Sequence, residues 1–300
     1  MTETTHWENP VIDMLDSTHQ RISVTAFLKA AARAVESQRP DRLFDDPWAA
    51  LLASREGFSI LEKGEDRGAS IVVRTHYFDE WLQRLTHEEG LRQIVLPAAE
   101  LDRRAFRLSW PPATRFFELD LPAVVLYKEA RLQVHQAQPR CQRTILAVDL
   151  TSSNWENQLQ QAGFQPALPS VWLVEGLFFY LPLEQTRQLL ARLSRLAAPG
   201  SWLGFDAIQS AMLPSPLTSS RIQLTKKNGA PWIGAIDDPV ALLASLGWQA
   251  SFVPNARTGY EYGRAIFPFI APAVLNAETE KLYHMLVTAK RLPLEEPPRL

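Results

Sequence analysis

The sequence predicts an α/β fold, a mostly parallel sheet with helices on both faces, behind a helical N-terminal extension. Two observations carry this. From residue 93 onward, short apolar strands alternate with helical segments about every 25–30 residues, the spacing of βα units. Before residue 90 the apolar residues follow helical spacing instead. A third stretch, 208–236, breaks the alternation with prolines and glycines, and reads as an insertion over the sheet edge.

Residues 1–20 read as irregular. Ser23 to Val35 places Val24, Phe27, Leu28, Ala31 and Val35 at helical spacing, and Pro40 ends that helix. Asp46-Pro47-Trp48 opens a second helix to about Ala53, Glu62 to Gly68 reads as a loop, and Ile71 to Leu85 as a third helix. Gln93 to Leu96 is a short buried strand, and Pro97 suits its extended end. Thr114 to Asp120 is the second strand. Pro122 to Val134 is a helix with its proline near the start, where the missing N–H costs nothing. Further strands are expected at Thr144–Leu150, Val171–Val174, Trp202–Asp206, Trp248–Val253 and His284–Ala289. Helices are expected at Trp155–Ala162, Leu183–Leu196 and Pro239–Leu246.

Composition narrows the function classes. The net charge of −2 gives no bulk positive field for nucleic acid or an anionic membrane. Arg103, Arg104 and Arg107 still sit close enough for a local basic patch. The single cysteine, Cys141, permits neither a disulfide framework nor a cysteine metal cluster, which fits a cytoplasmic protein. The N-terminus lacks the basic start and apolar run of a signal peptide, and no stretch reaches the ~20 apolar residues of a membrane helix. The six histidines are scattered, with no metal-ligand pair. No Gly-x-Ser-x-Gly elbow and no Gly-x-Gly-x-x-Gly turn are present.

Ligands of open α/β sheets bind beyond the carboxyl ends of the strands. Here the first strand–helix turn is Pro97-Ala98-Ala99-Glu100-Leu101-Asp102, without the usual glycines. Glu118 and Asp120 close the second strand, where an acid can accept hydrogen bonds from ribose hydroxyls.

Several stretches resemble one family. Ser23-Val24-Thr25-Ala26, the run from Arg39 to Pro47, and Arg74-Thr75-His76-Tyr77-Phe78-Asp79-Glu80-Trp81 are similar to the bacterial branch of the leucine carboxyl methyltransferases. So are the runs from Leu101 to Leu108, Phe117 to Pro122 and Glu175 to Leu181. The resemblance implies a Rossmann-like, seven-stranded, mostly parallel sheet, bound S-adenosylmethionine, and O-methyl transfer, often to a carboxylate. It implies one domain over 1–300, with a helical cap at 1–88, a cofactor-side core at 91–206, a lid-like insertion at 207–238 and the sheet's end at 239–300. Carried over by position, Arg74 pairs with the cofactor's methionine carboxylate and Asp120 holds the ribose. Asp149 and Leu150 contact the adenine, and Glu175 faces the methionine amino group. Ala98 and Glu100 line the same site, and Tyr180 borders the acceptor pocket. Arg74, Tyr180 and His76 are the candidate catalytic residues.

Each has a plainer reading: Arg74 as an ion-pair partner of Asp79 or Glu80, Asp120 and Asp149 as turn or helix caps, Tyr180 as core filling, His76 as a surface residue. The sequence departs from the family at its first loop, Gly-Ala-Gly in the family and Ala98-Ala99-Glu100 here. Glu100 can repel the cofactor's carboxylate, pair with Arg103 or Arg104, or attract the cofactor's cationic groups. A carboxylate acceptor is already ionised at neutral pH and needs no base, whereas an alcohol or phenol needs one, with His76 or His19 as candidates. The leading expectation is therefore a methyltransferase acting on a small carboxylic acid. The altered loop motivates a second one, a fold that has left methyl transfer for another ligand, a cofactor-independent reaction or a protein partner.

Overall fold

The computed structural model describes residues 23–293. The stretch 1–20, with His19, lies outside the described residues.

Four helices precede the sheet. Helix α1 (Val24–Ser37) starts where the Ser23 hydroxyl accepts from Thr25 N. The expected apolar stripe is only partly right, because Val35 is 44% exposed while Ala26, Ala30 and also Lys29 and Arg33 are buried. Helix α2 (Ala49–Leu52) is shorter than expected. Helix α3 (Arg55–Lys63) corrects the loop expected from Glu62, which begins only after Lys63. Ser54 caps α3 through Gly57 N, and Ile60 and Leu61 are buried. Helix α4 (Ala69–His87) is the longest of the four.

The sheet has seven strands among the described residues: β1 (Gln93–Pro97), β2 (Arg115–Asp120), β3 (Gln142–Ala147), β4 (Val171–Val174), β5 (Trp202–Ala207), β6 (Trp248–Pro254) and β7 (Met285–Arg291). Their order is β3-β2-β1-β4-β5-β7-β6, with β7 antiparallel to both neighbours. Strand order reverses between β1 and β4, so ligands are expected above their carboxyl ends. Both strands are buried at every position, which explains their continuous apolar runs.

Strand alternation divides the core. Phe117, Trp172 and Phe205 pack on one face with Trp155 and Leu190, while Phe116, Val171 and Leu173 pack on the other with Phe78 and Leu82. On that second face, α4 seats directly on β5. A Cβ at Gly204 would lie 2.9 Å from the Trp81 ring and 3.0 Å from Phe78.

The remaining helices are α5 (Arg104–Arg107), α6 (Pro122–Val134), α7 (Trp155–Gln161), α8 (Leu183–Leu196), α9 (Ser219–Lys227), α10 (Pro239–Ala244), α11 (Asn255–Glu261) and α12 (Ala277–Glu280). Short α5, α11 and α12 carry no strong periodicity and were not expected. The insertion folds as two 3-10 turns and α9, and its tail is tied down where Ile233 N and Gly234 N donate to Phe179 O. No described helix is long and apolar enough to cross a membrane.

The basic patch expected from Arg103, Arg104 and Arg107 is not a surface feature. Arg103 and Arg104 are each 1% exposed, and the Arg107 side chain is buried on Asp79. Arg103 donates through Nη1 to Asp102 O, while its Nε and Nη2 have no partner and burial pulls its pKa down to about 10.

Candidate active site

A cavity of about 850 Å³ lies above the carboxyl ends of the central strands. Its walls come from the loops after β1, β2, β3 and β4, from α1 and α8, and from the insertion's tail at 229–233. Ala98, Glu100, Asp120, Asp149, Leu150 and Tyr180 all line it. Arg74 and Glu175 lie just below, beside a small void shared with Lys29, Ala98 and Glu100. The sequence therefore brings its candidate binding residues to one place.

The first loop is a left-handed turn made without glycine. Ala98 has φ +54° and Glu100 φ +44°, a conformation costing non-glycine residues roughly 1–2 kcal/mol each. The turn is held by Ala99 N on Leu119 O (3.1 Å) and by Glu100 N on Asp120 Oδ2 (2.5 Å). Asp120 Oδ1 accepts from Leu121 N at 2.7 Å, while α6 takes no side-chain cap, so the helix-cap reading of Asp120 is not seen. Burial, and then the nearby Glu100 charge, push the Asp120 carboxyl up to about 6. Glu118, the other acid of this strand, is buried on Lys128 and Arg143 at 2.6 and 2.7 Å and serves the core.

Glu100 does not pair with Arg103 or Arg104. Its carboxylate takes Lys29 Nζ at 2.6 Å. Lys29 also donates to Gly176 O at 3.3 Å, and a Cβ on Gly176 (φ +64°) would lie only 2.4 Å from that Nζ. Glycine at 176 thus leaves the space the lysine uses.

Arg74 pairs with neither Asp79 nor Glu80. Its Nε meets Glu175 Oε1 at 3.1 Å and its Nη1 meets Asp206 Oδ2 at 2.5 Å. Burial works against its charge, but Asp206 and Glu175 outweigh it and hold the pKa above the usual arginine value. Glu175 is bound from its other side by Arg104, which also holds Asp79 (2.7 Å) and Asp102 (2.5 Å). Burial would raise Asp102, yet Arg104, Lys128 and Arg33 hold it well below the ordinary carboxylate value. His284 lies 3.8 Å from Asp206 with both ring nitrogens unpartnered, and burial drives its pKa down to about 3.

The far side of the cavity is simpler. Asp149 is exposed, and its Oδ1 accepts from Thr151 N and Oγ1 at 2.8 and 2.7 Å, the turn-capping reading. Leu150 O takes Arg192 Nη1 at 2.9 Å.

A second chamber of about 110 Å³ adjoins the first through Thr25 and Tyr180, which line both. Leu28, Ile71, Phe179, Leu224 and Trp232 make it mostly apolar, with Lys29, Arg74 and the Arg221–Asp66 pair at its edges. The buried Trp232 Nε1 has no hydrogen-bond partner. His76 lines none of these spaces; it packs on the Tyr262 ring, 3.6 Å from Glu80.

Lys29 and Asp206 escaped the sequence reading. Lys29 left one signal: with Arg33 it occupies the spacing of Ala26 and Ala30, the buried side of α1.

An open sheet with a cavity over its reversal point and an acid at the end of β2 is the plan of a nucleoside-binding α/β protein. The comparisons agree. The leucine carboxyl methyltransferase family model matches residues 26–194. A Parafrankia relative named for S-adenosyl-L-methionine-dependent methyl transfer is 36% identical over 81% of this chain and 81% of its own. One from Saccharopolyspora erythraea, named alike, is 39% identical over 76% of this chain and 83% of its own. A crystal structure from Thermobifida fusca, described as a methyltransferase, superposes with a TM-score of 0.61 at 14% identity, covering 96% of this chain and all of that one. The chain belongs to the leucine carboxyl methyltransferase family, and it is an S-adenosylmethionine-dependent methyltransferase.

Proposed function

We propose that the protein methylates a carboxylate oxygen of a small molecule. One observation carries this reading: the main cavity offers no histidine and no unengaged carboxylate. No histidine lines the main cavity or the second chamber. Each carboxylate of the main cavity is engaged, Glu100 by Lys29, Asp120 by Glu100 N and Leu121 N, and Asp149 by Thr151. An acceptor that arrives ionised needs positioning and a dry pocket rather than proton removal.

S-adenosylmethionine, when bound, supplies a methyl group activated by its sulfonium. The main cavity has the volume and lining for its nucleoside part. Asp120 would accept from the ribose hydroxyls, Leu150 and Val148 would wall the base, and Asp149 would stand at its rim. Lys29, Arg74, Glu100 and Glu175 would surround the amino-acid tail. The second chamber would hold the acceptor's apolar body and exclude water. The Tyr180 hydroxyl would orient the acceptor oxygen where the two spaces meet, and the Trp232 N–H is a donor suited to a carboxylate. His76, away from both spaces, would take no part.

The test is turnover with methyl-labelled cofactor against paired acids and alcohols of matching carbon skeleton. Acids should give base-labile methyl esters at rates flat between pH 7 and 9. Turnover of alcohols or phenols alone, rising with pH, would overturn the reading.

A further inference from the structure

Resting on that reading, we infer that Glu100 is a specificity-determining residue. It weakens the hold of the cavity's tail end on a ligand's tail carboxylate and strengthens its hold on the tail amine, so adenosyl ligands bearing both groups, S-adenosylmethionine among them, bind less tightly than glycine at 100 would allow.

The backbone fixes where Glu100 points. Its φ of +44° and the hydrogen bond from its N–H to Asp120 leave the carboxylate beside α1, on Lys29. Lys29 is the cation a tail carboxylate would need, because its neighbours are saturated. Arg74 is held between Glu175 and Asp206, and Arg104 among Asp79, Asp102 and Glu175. An incoming carboxylate must first part Glu100 from Lys29. An incoming ammonium can share Glu100 with Lys29 without breaking anything. With glycine at 100, Lys29 would be free for the carboxylate.

The experiment is calorimetric titration at pH 7.5 of the wild-type protein, Glu100→Gly and Glu100→Gln. Three probes separate the terms: S-adenosylhomocysteine, its decarboxylated counterpart with an aminopropyl tail, and methylthioadenosine, which has neither charged group. Both variants should bind S-adenosylhomocysteine about tenfold tighter and the aminopropyl compound several-fold more weakly, with methylthioadenosine changed less than about twofold. Glu100→Gln keeps the side chain's size, so the charge is tested even where glycine disturbs the turn. Methylthioadenosine binding to all three proteins while S-adenosylhomocysteine affinity stays within twofold in Glu100→Gln would overturn the inference and leave the cavity assignment standing. Failure of every protein to bind any of the probes would remove both.

Discussion

The two ends of the main cavity are built on opposite plans. Around Asp149 and Leu150 the walls are mostly apolar or open to solvent, with Arg192 on Leu150 O and one exposed carboxylate capping a turn. Around Arg74 the walls are a buried lattice of charge in which each named ion serves another. Buried ion pairs contribute little net stability, yet removing one partner strands the other in a low-dielectric place. The contrast teaches that the nucleoside end should tolerate change and the tail end should not.

Arg74→Ala should show this most strongly. It leaves Glu175 without one of its two arginines, and strips fully buried Asp206 of its short ion pair. The expected loss is about 3–5 kcal/mol in urea unfolding. A loss under 1 kcal/mol would mean the lattice is not a unit.

His284 probes the same end through pH. Its folded pKa of about 3 lies below the unfolded value of ~6.5, so the unfolded chain binds more protons between those limits. The native state is unpenalised above pH 6.5 and loses stability as pH falls, by about 2 kcal/mol at pH 5. His284→Phe should remove that slope, seen as a smaller gap between the thermal midpoints at pH 7 and pH 5.

Asp120 stands at the join of the two plans and has the opposite sign. Its carboxyl is raised to about 6 by burial and Glu100, with Lys128 pulling the other way. Its ionised form therefore costs the free protein stability above pH 6, and that cost fades as pH falls toward 4. Ribose hydroxyls need the ionised form, so S-adenosylhomocysteine should bind about tenfold more weakly at pH 5 than at pH 7.5. Asp120→Asn should lose the pH step along with most of the affinity. A step that persists in the variant would assign the titration elsewhere.

Asp149→Ala should do least, at most about 0.5 kcal/mol in stability. A modest weakening of methylthioadenosine with no change in unfolding would sharpen the contrast; a large loss of stability would break it.

Legibility in the sequence follows the same division. The bounds of β4, α6 and α8 were readable to the residue, because apolar runs or a proline at the helix entry mark them. Helix α3 was missed altogether: Arg55 to Leu61 was assigned to no element, and Glu62 and Lys63 fell within the expected loop. Asp120 was marked by its place at the end of a strand, and Asp149, Leu150 and Glu175 were named through the family resemblance alone. Their partners were not, because the lattice joins residues far apart in the chain, Lys29 to Glu100 and Gly176, Arg74 to Asp206. A lysine on the buried side of α1 was the single local hint. Nothing local could have announced that Glu100 would choose Lys29 over the adjacent arginines.

Gly204 gives the charged end a mechanical origin. Arg74 and Phe78 share a face of α4, and Gly204 and Asp206 share a face of β5. Phe78 and Trp81 rest where a side chain at 204 would stand, so the helix comes down onto bare strand and brings Arg74 within 2.5 Å of Asp206. The spacing of that ion pair is thus gauged by an absent methyl group two residues away. A lineage could retune its tail end by adding or removing one carbon at 204, lifting the helix like a shim, without altering any charge.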